Sequence, residues 1–270
     1  MAENFKPTFW SKYCQTELHK DLILANWCDY KFEGELKHGA RLKIVGVVRP
    51  TIQKYTPGQD LNIESLGDNA QYLDITEADA FAFEVDDVDR AQSMPGYLET
   101  QFDEAKVALA ESADAFVGKQ AQDAEEDMKS ASTDLSTLTS FLKPINDAHI
   151  KLYANNVSLT TELAADLNPE HIVGLRTELA ELFTDNVEYI KRGAMGKYAN
   201  TYLRMSNNLH NDGTDDYEMI RTKKAIAFAG QIDKIETARK EKGFADIIKG
   251  LHVYGAKLVR PKELYVIRAH

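Results

Sequence analysis

The stretch Phe83-Glu-Val85-Asp86-Asp87-Val88-Asp89-Arg-Ala91-Gln92-Ser93-Met94-Pro95 joins two unlike patterns, and its reading decides the fold. Upstream, Phe81, Phe83 and Val85 alternate with polar residues at the period of a half-buried strand. Downstream, Leu98, Phe102, Ala105, Leu109, Ala113 and Phe116 recur at steps of three and four, which predicts a helix with one apolar stripe. Ser93 is placed to cap that helix, Pro95 fits its first turn, and Glu99 suits the positive end of its dipole. The pattern predicts a helix over 94–129, on the order of 50 Å long at 1.5 Å per residue. Its other faces carry Glu104, Lys106, Glu111, Asp114 and Lys119, so one side alone is committed to a core. This is a spine lying across a sheet.

On the N-terminal side, Leu42, Ile44, Val47 and Val48 form a β-branched alternating run that ends at Pro50, and Thr51–Tyr55 is a second short strand broken by Thr56-Pro57-Gly58. Further alternating pairs follow at Leu61 and Ile63, and at Leu73 and Ile75. Between Gly58 and Ala80 apolar residues are sparse, so this two-stranded excursion needs a partner to be stable. The first forty residues read as an arm. Phe5, Phe9, Trp10, Tyr13, Trp27, Tyr30 and Phe32 are too far apart for a core of their own, and such aromatics are expected to anchor on something else. An N-terminal strand folded back on its own domain is the alternative.

Beyond the spine, Leu138, Leu142, Ile145, His149 and Leu152 predict a second helix kinked at Pro144 and ending near Asn155-Asn156. Asn168, Pro169 and Glu170 open a third, with Ile172, Leu175, Leu179 and Leu182 on one side. Residues 186–209 look extended and rich in turns, and Asn211-Asp212-Gly213 marks a loop tip. Residues 224–235 fit either helix or strand. Ile247–Val259 is a long β-rich run, followed by a last strand over Leu264–Ile267.

The 270-residue chain carries a net charge of −11, with 43% hydrophobic and 28% charged residues, which is globular composition. The charge is uneven: residues 60–89 hold ten acidic and no basic side chains, while residues 220–270 are net basic by seven. That asymmetry suggests head-to-tail complementarity, within a chain or between copies. No basic residues cluster on one element as in a sequence-specific nucleic-acid reader. No window has the apolar length of a membrane span, and the start lacks a signal-peptide pattern, so a reducing compartment is expected. The two cysteines, Cys14 and Cys28, allow one bridge at most.

Catalytic patterns fail their own tests. Gly193-Ala-Met-Gly196-Lys197 has Lys191 and Tyr198 where a phosphate loop needs glycine and a hydroxyl residue, so it reads as a tight turn. The seven histidines are dispersed, and His210-Asn211-Asp212 lies in turn sequence with no nucleophile beside it. Asp86, Asp87 and Asp89 lack the glycine and distal glutamate of a calcium loop. No catalytic, cofactor or metal site is expected.

Taken in order, several stretches resemble the major capsid proteins of tailed bacteriophages, with the Hong Kong 97-type fold. They are the arm with Asn26-x-x-Asp29-Tyr30-x-x-Glu33-Gly34, the loop opening Gly39-Ala-Arg-Leu-Lys-Ile with Thr51-Ile52-x-x-Tyr55-x-x-Gly58, and the Phe83–Ser93 junction. Asn156-Val157, Ser206-Asn207-Asn208-Leu209 and the ending Gly250-Leu251-x-x-Tyr254-Gly255-x-Lys257-x-x-x-Pro261 complete the series. The resemblance implies an α+β chain with an N-terminal arm over 1–37, an extended β-hairpin loop over 40–84, a peripheral domain over 85–156 and 223–270 containing the spine helix, and an axial domain over 157–222. It implies self-assembly into pentamers and hexamers of an icosahedral shell, in a host bacterial cytoplasm, enclosing double-stranded DNA that is not read. A separate scaffolding protein, a portal and a decoration protein are the further partners it implies; no membrane is involved. The expected contacts between subunits are Phe5, Phe9, Trp10, Trp27, Tyr30, Lys54, Tyr55, Asp60, Glu64, Asp86 and Asp87. Some relatives form a Lys–Asn cross-link in the loop that holds Lys54, but nothing else in the sequence supports that chemistry. The alternatives are an encapsulin-type nanocompartment shell and a cytosolic α+β hydrolase using His210.

Overall fold

The computed structural model describes residues 22–31, 41–46, 69–86, 97–138, 140–178, 194–240 and 243–270. Helix α1 (Tyr97–Lys119) buries Leu109, Ala110, Ala113 and Val117. It ends about ten residues before the expected 129. The chain tightens into a 3-10 turn at Gln120–Asp123, and Ala124 takes an extended backbone (φ −62°, ψ 144°). The apolar series nevertheless continues through buried Ala121, Ala124 and Met128, which is why its periodicity reads as a longer helix. Gly118 explains the closeness of the packing: a Cβ there would lie 2.6 Å from the Asn208 carbonyl oxygen.

The excursion expected to need a partner finds one at its base within the chain. Strands β1 (Arg41–Gly46) and β2 (Asn69–Asp74) pair antiparallel, Arg41 opposite Asp74. Strand β3 (Glu77–Asp86) follows. Helix α2 is Lys143–Ala154, with Pro144 in its first turn, where no helical N–H is lost; the expected kink is therefore a helix start. Strand β4 (Leu163–Leu167) is buried at all five positions. Helix α3 (Pro169–Glu178) begins as expected: the Asn168 Oδ1 accepts the His171 N–H at 2.7 Å.

Next come β5 (Ala194–Tyr198), β6 (Thr201–Met205), β7 (His210–Asn211), β8 (Asp216–Thr222), β9 (Ile226–Arg239), β10 (Ala245–Leu258) and β11 (Leu264–Ala269). The segment over 224–235 is thus strand. One sheet has the order β3-β10-β9, all antiparallel. A second has the order β11-β8-β4-β6-β5, with β4 and β6 parallel and β7 attached to β8. Three cores result. Helix α1 packs on β9 and β10; α2 and α3 pack on the second sheet; and Ile44, Leu73 and Ile75 pack on Ala227, Ala229 and Val253. Gly255 allows this last contact, because a Cβ there would lie 2.4 Å from the Asp74 carbonyl oxygen.

Inside the second core, His171 and Glu218 are both fully buried, 2.7 Å apart between Nδ1 and Oε2. The other ring nitrogen faces the Phe141 carbonyl oxygen at 2.9 Å. Both nitrogens face acceptors, so both must donate, which is the imidazolium form. Burial pushes the ring towards neutrality, but the Glu218 carboxylate and the Phe141 carbonyl outweigh it, with Glu178 adding to them; the pKa is raised. Glu178 is itself held by Ser140 and the Phe141 N–H. A histidine whose folded pKa is raised contributes stability that is complete below about pH 6.5 and is lost as pH rises through the folded value. Thermal unfolding should therefore fall in midpoint as pH is raised from 6 into the alkaline range. His171→Gln should lose about 3 kcal/mol at pH 6 by stranding Glu218, and should flatten that slope. An unchanged slope would contradict the assignment.

Candidate functional site: the arm root and its clasp

The arm is not free throughout. Leu22, Leu24, Ala25 and Cys28 are buried, and residues 25–27 form a single 3-10 turn. So short a turn cannot hold itself; its backbone groups are taken by three charged side chains from elsewhere, which a fourth, Asp166, holds in place. Asp114 of α1 accepts the Ile23 N–H at 2.7 Å and the Ala25 N–H at 2.8 Å. Arg204 of β6 donates to the Ile23 carbonyl at 2.7 Å, and Arg221 of β8 to the Leu24 carbonyl at 2.7 Å and to the Trp27 carbonyl. Asp166 of β4 neutralises both arginines, one on each carboxylate oxygen, with Arg221 Nε at 3.1 Å.

Two arginines and two aspartates make this buried set neutral, and both arginines are at most 1% exposed. Burial raises the Asp114 pKa against the opposing pull of the arm-root amides, and it raises the Cys28 thiol as well. Cys28 is a free cysteine; Cys14 lies outside the described residues. The chain then runs onto the β9 edge, where Asp29 donates to Ile226 O at 2.9 Å and accepts from the Phe228 N–H at 3.2 Å.

Of the expected contact residues, Trp27 and Tyr30 pack on this chain. The Trp27 ring lies 5.4 Å from that of Tyr202 with the Arg204 guanidinium over it, and Tyr30 meets Phe228 edge-on at 5.7 Å. Own-chain aromatic and cationic groups thus supply one side of the surroundings of both rings, and each ring stays partly exposed. Asp86 is the last residue of β3, opposite Ala245. Phe5, Phe9, Trp10, Lys54, Tyr55, Asp60, Glu64 and Asp87 lie outside the described residues. Asp114, Asp166, Arg204 and Arg221 were missed. Charged residues are almost never fully buried unless paired, and a carboxylate inside an otherwise apolar strand, Leu163-Ala-Ala-Asp166-Leu167, was the available signal.

Beside the clasp lies a cleft of about 450 Å³, where Trp27, the loop 155–162, the β8–β9 turn with Lys223 and Lys224, and Arg260 meet. Its acidic walls are already engaged: Glu263 with Arg260 (2.7 Å) and Thr222 (2.5 Å), Glu162 with the Tyr202 hydroxyl (2.7 Å).

A hydrolytic site at His210 finds no support. Its Nε2 lies against the Gln122 amide nitrogen, and its ring packs edge-on against Tyr217 at 5.2 Å. Tyr217 donates to Asp212, which is occupied with capping its own turn. Among the described residues no cluster of His, Cys, Asp or Glu is suited to a metal, and no helix is long and apolar enough to cross a membrane.

Removing one partner of a buried ion pair leaves a charge without compensation, at a cost of about 3–5 kcal/mol. Arg221→Met or Asp166→Asn should lower denaturant stability by about that much. Asp114→Ala should cost less, about 1–3 kcal/mol, and should act locally by speeding amide exchange at Ile23 and Ala25. Exchange there at the wild-type rate would show that the clasp does not hold the arm root.

No protein-family model matches this chain, and no curated protein matches it. Solved structures do. One from Mycobacterium phage Che8 aligns with a TM-score of 0.69 at 27% identity, over 91% of this chain and 90% of that one. The capsid of cyanophage P-SCSP1u aligns with 0.66 at 17%, over 88% and 85%. A virus-like particle from Pyrococcus furiosus aligns with 0.58 at 14%, over 97% and 98%. With its clasped arm root, β1–β2 hairpin, long helix and two sheets, the chain has the α+β fold of phage major capsid proteins, the Hong Kong 97-type fold.

Proposed function

We propose that this chain is the major capsid protein of a tailed phage, building pentamers and hexamers of an icosahedral shell around double-stranded DNA. The observation that carries the reading is the near-complete alignment with capsid subunits, among them those of cyanophage P-SCSP1u, phage PhiM1 and Ralstonia phage GP4. The chemistry of the chain agrees. The candidate centre is a set of ion pairs engaged in holding backbone, which suits a structural role.

In this reading residues 1–37 are the arm, 40–84 the extended loop, 85–156 with 223–270 the peripheral domain and 157–222 the axial domain. The clasp then has a definite task. Asp114 belongs to the peripheral part, and Asp166, Arg204 and Arg221 to the axial part, so the arm root is a shared strap between them. The outer arm and the hairpin tip are the segments that reach neighbouring copies, through interfaces on the order of 2,000 Å² or more. Scaffolding protein, portal and decoration protein are separate chains. The net charge of −11 favours confinement of DNA over tight wrapping.

A nanocompartment shell of the same fold is the second reading, and the alignment with the Pyrococcus furiosus particle favours it over any enzyme. Purified protein, alone or co-expressed with its scaffold, should sediment as closed particles and show pentameric and hexameric capsomers by electron microscopy. Nucleic acid content identifies the phage reading and protein cargo the compartment. A stable monomer at high concentration under both conditions would contradict both.

A further inference from the structure

The cleft beside the clasp is lined by more hydrogen-bond donors than its own chain uses. Its two carboxylates are engaged: Glu263 accepts from Arg260 and Thr222, and Glu162 accepts from the Tyr202 hydroxyl with Lys197 at 3.9 Å. The donors are not. Lys223 and Lys224, adjacent on the β8–β9 turn, are both exposed and have no ion-pair partner among the described residues. On the loop 155–162, the side chains of Asn156 and Thr161 make no hydrogen bond among the described residues. The Trp27 indole N–H is buried and also lacks an acceptor. Buried donors without a partner are rare in folded chains, so a surplus gathered around one cleft calls for an explanation. The wall that carries it is fixed, because Tyr202 and the Arg204 guanidinium pack on the indole and Arg221 holds the Trp27 carbonyl.

We infer that this cleft binds a nucleotide, with the phosphate on Lys223 and Lys224 and the ring against the Trp27 indole. A site with donors left over takes a ligand rich in acceptor oxygens. Two neighbouring ammonium groups favour a dianion over a single charge. A phosphate monoester meets both demands, and a lysine on a turn suits it as a point charge with three rotatable donors. A carboxylate brings one charge and two oxygens, which leaves part of the surplus unmet. The cleft, about 450 Å³, is far larger than a phosphate ion needs and lies within the range of small-molecule sites, so the ligand has a further body. The indole supplies the aromatic surface on which a base stacks. A free nucleoside monophosphate and a nucleotide within a single strand share this chemistry. The site lies on one chain and does not depend on the shell reading.

A fluorescence titration of the full chain tests it. In a Trp10→Phe background Trp27 is the sole tryptophan. Adenosine monophosphate, with excitation beyond the adenine band, should change its emission saturably. Added sodium chloride should weaken binding, and Lys223→Ala/Lys224→Ala should weaken it about tenfold, the loss of two exposed charge contacts. Both lysines are exposed, so that variant should keep the parent's thermal unfolding midpoint. An oligothymidylate strand without a terminal phosphate separates the two sources. Binding comparable to that of the monophosphate identifies single-stranded nucleic acid as the ligand, and much weaker binding identifies the free nucleotide. No saturable change, undiminished affinity in the lysine variant, or equal binding by adenosine, inorganic phosphate or polyglutamate would overturn the assignment.

Discussion

The structure depends on a carboxylate, Asp166, buried between two arginines. A charge without compensation at that depth costs about 3–5 kcal/mol, so Arg204 and Arg221 must stay in place, and each has donors left over after binding it. Those donors are what the arm root uses. The carbonyls of Ile23, Leu24 and Trp27 accept from the arginines, of whose donors Arg204 Nε stays buried without a partner, while Asp114 completes the amides of Ile23 and Ala25. Neither side is satisfied alone. The sheet needs the strap for its arginines, and the strap, too short to fold by itself, needs the sheet.

This mutual dependence decides what the chain can offer to its surroundings. Ion pairs of this kind are specific without being strongly stabilising, since desolvation cancels much of the attraction. The strap is fixed in one register, and the Asp29 pairing on the β9 edge continues that register. The β1–β2 hairpin is treated similarly. Its base is seated on Ala227, Ala229 and Val253 through the opening at Gly255. A subunit of a closed shell needs its reaching segments rooted in this way, because small errors of angle at the root grow along the segment.

Much of this was legible in the residues, and what was not has physical reasons. Strands β10 and β11 and the start of α3 followed from local signals: β-branched runs, and the Asn168-Pro169 cap. The end of α1 did not, because buried Ala121, Ala124 and Met128 prolong the helical spacing after the helix has stopped. Strand β4 is buried on both faces, so it has no alternation to read. The clasp is non-local: Asp166 is 38 residues from Arg204 and 55 from Arg221, and the strap is nearly 200 from Arg221. Trp27 shows what an aromatic on a thin segment can and cannot tell: the sequence states that its apolar ring needs cover, but only the fold shows that Tyr202 and Arg204 of the same chain supply part of it.

The most direct test is a near-atomic reconstruction of the assembled particle, traced subunit by subunit. The account predicts that residues 22–30 stay on their own subunit, with Asp166 between Arg204 and Arg221, while Phe5–Trp10 and Tyr55–Glu64 lie on other subunits. Arm roots exchanged between subunits, or an outer arm and hairpin tip folded back on their own body, would contradict it.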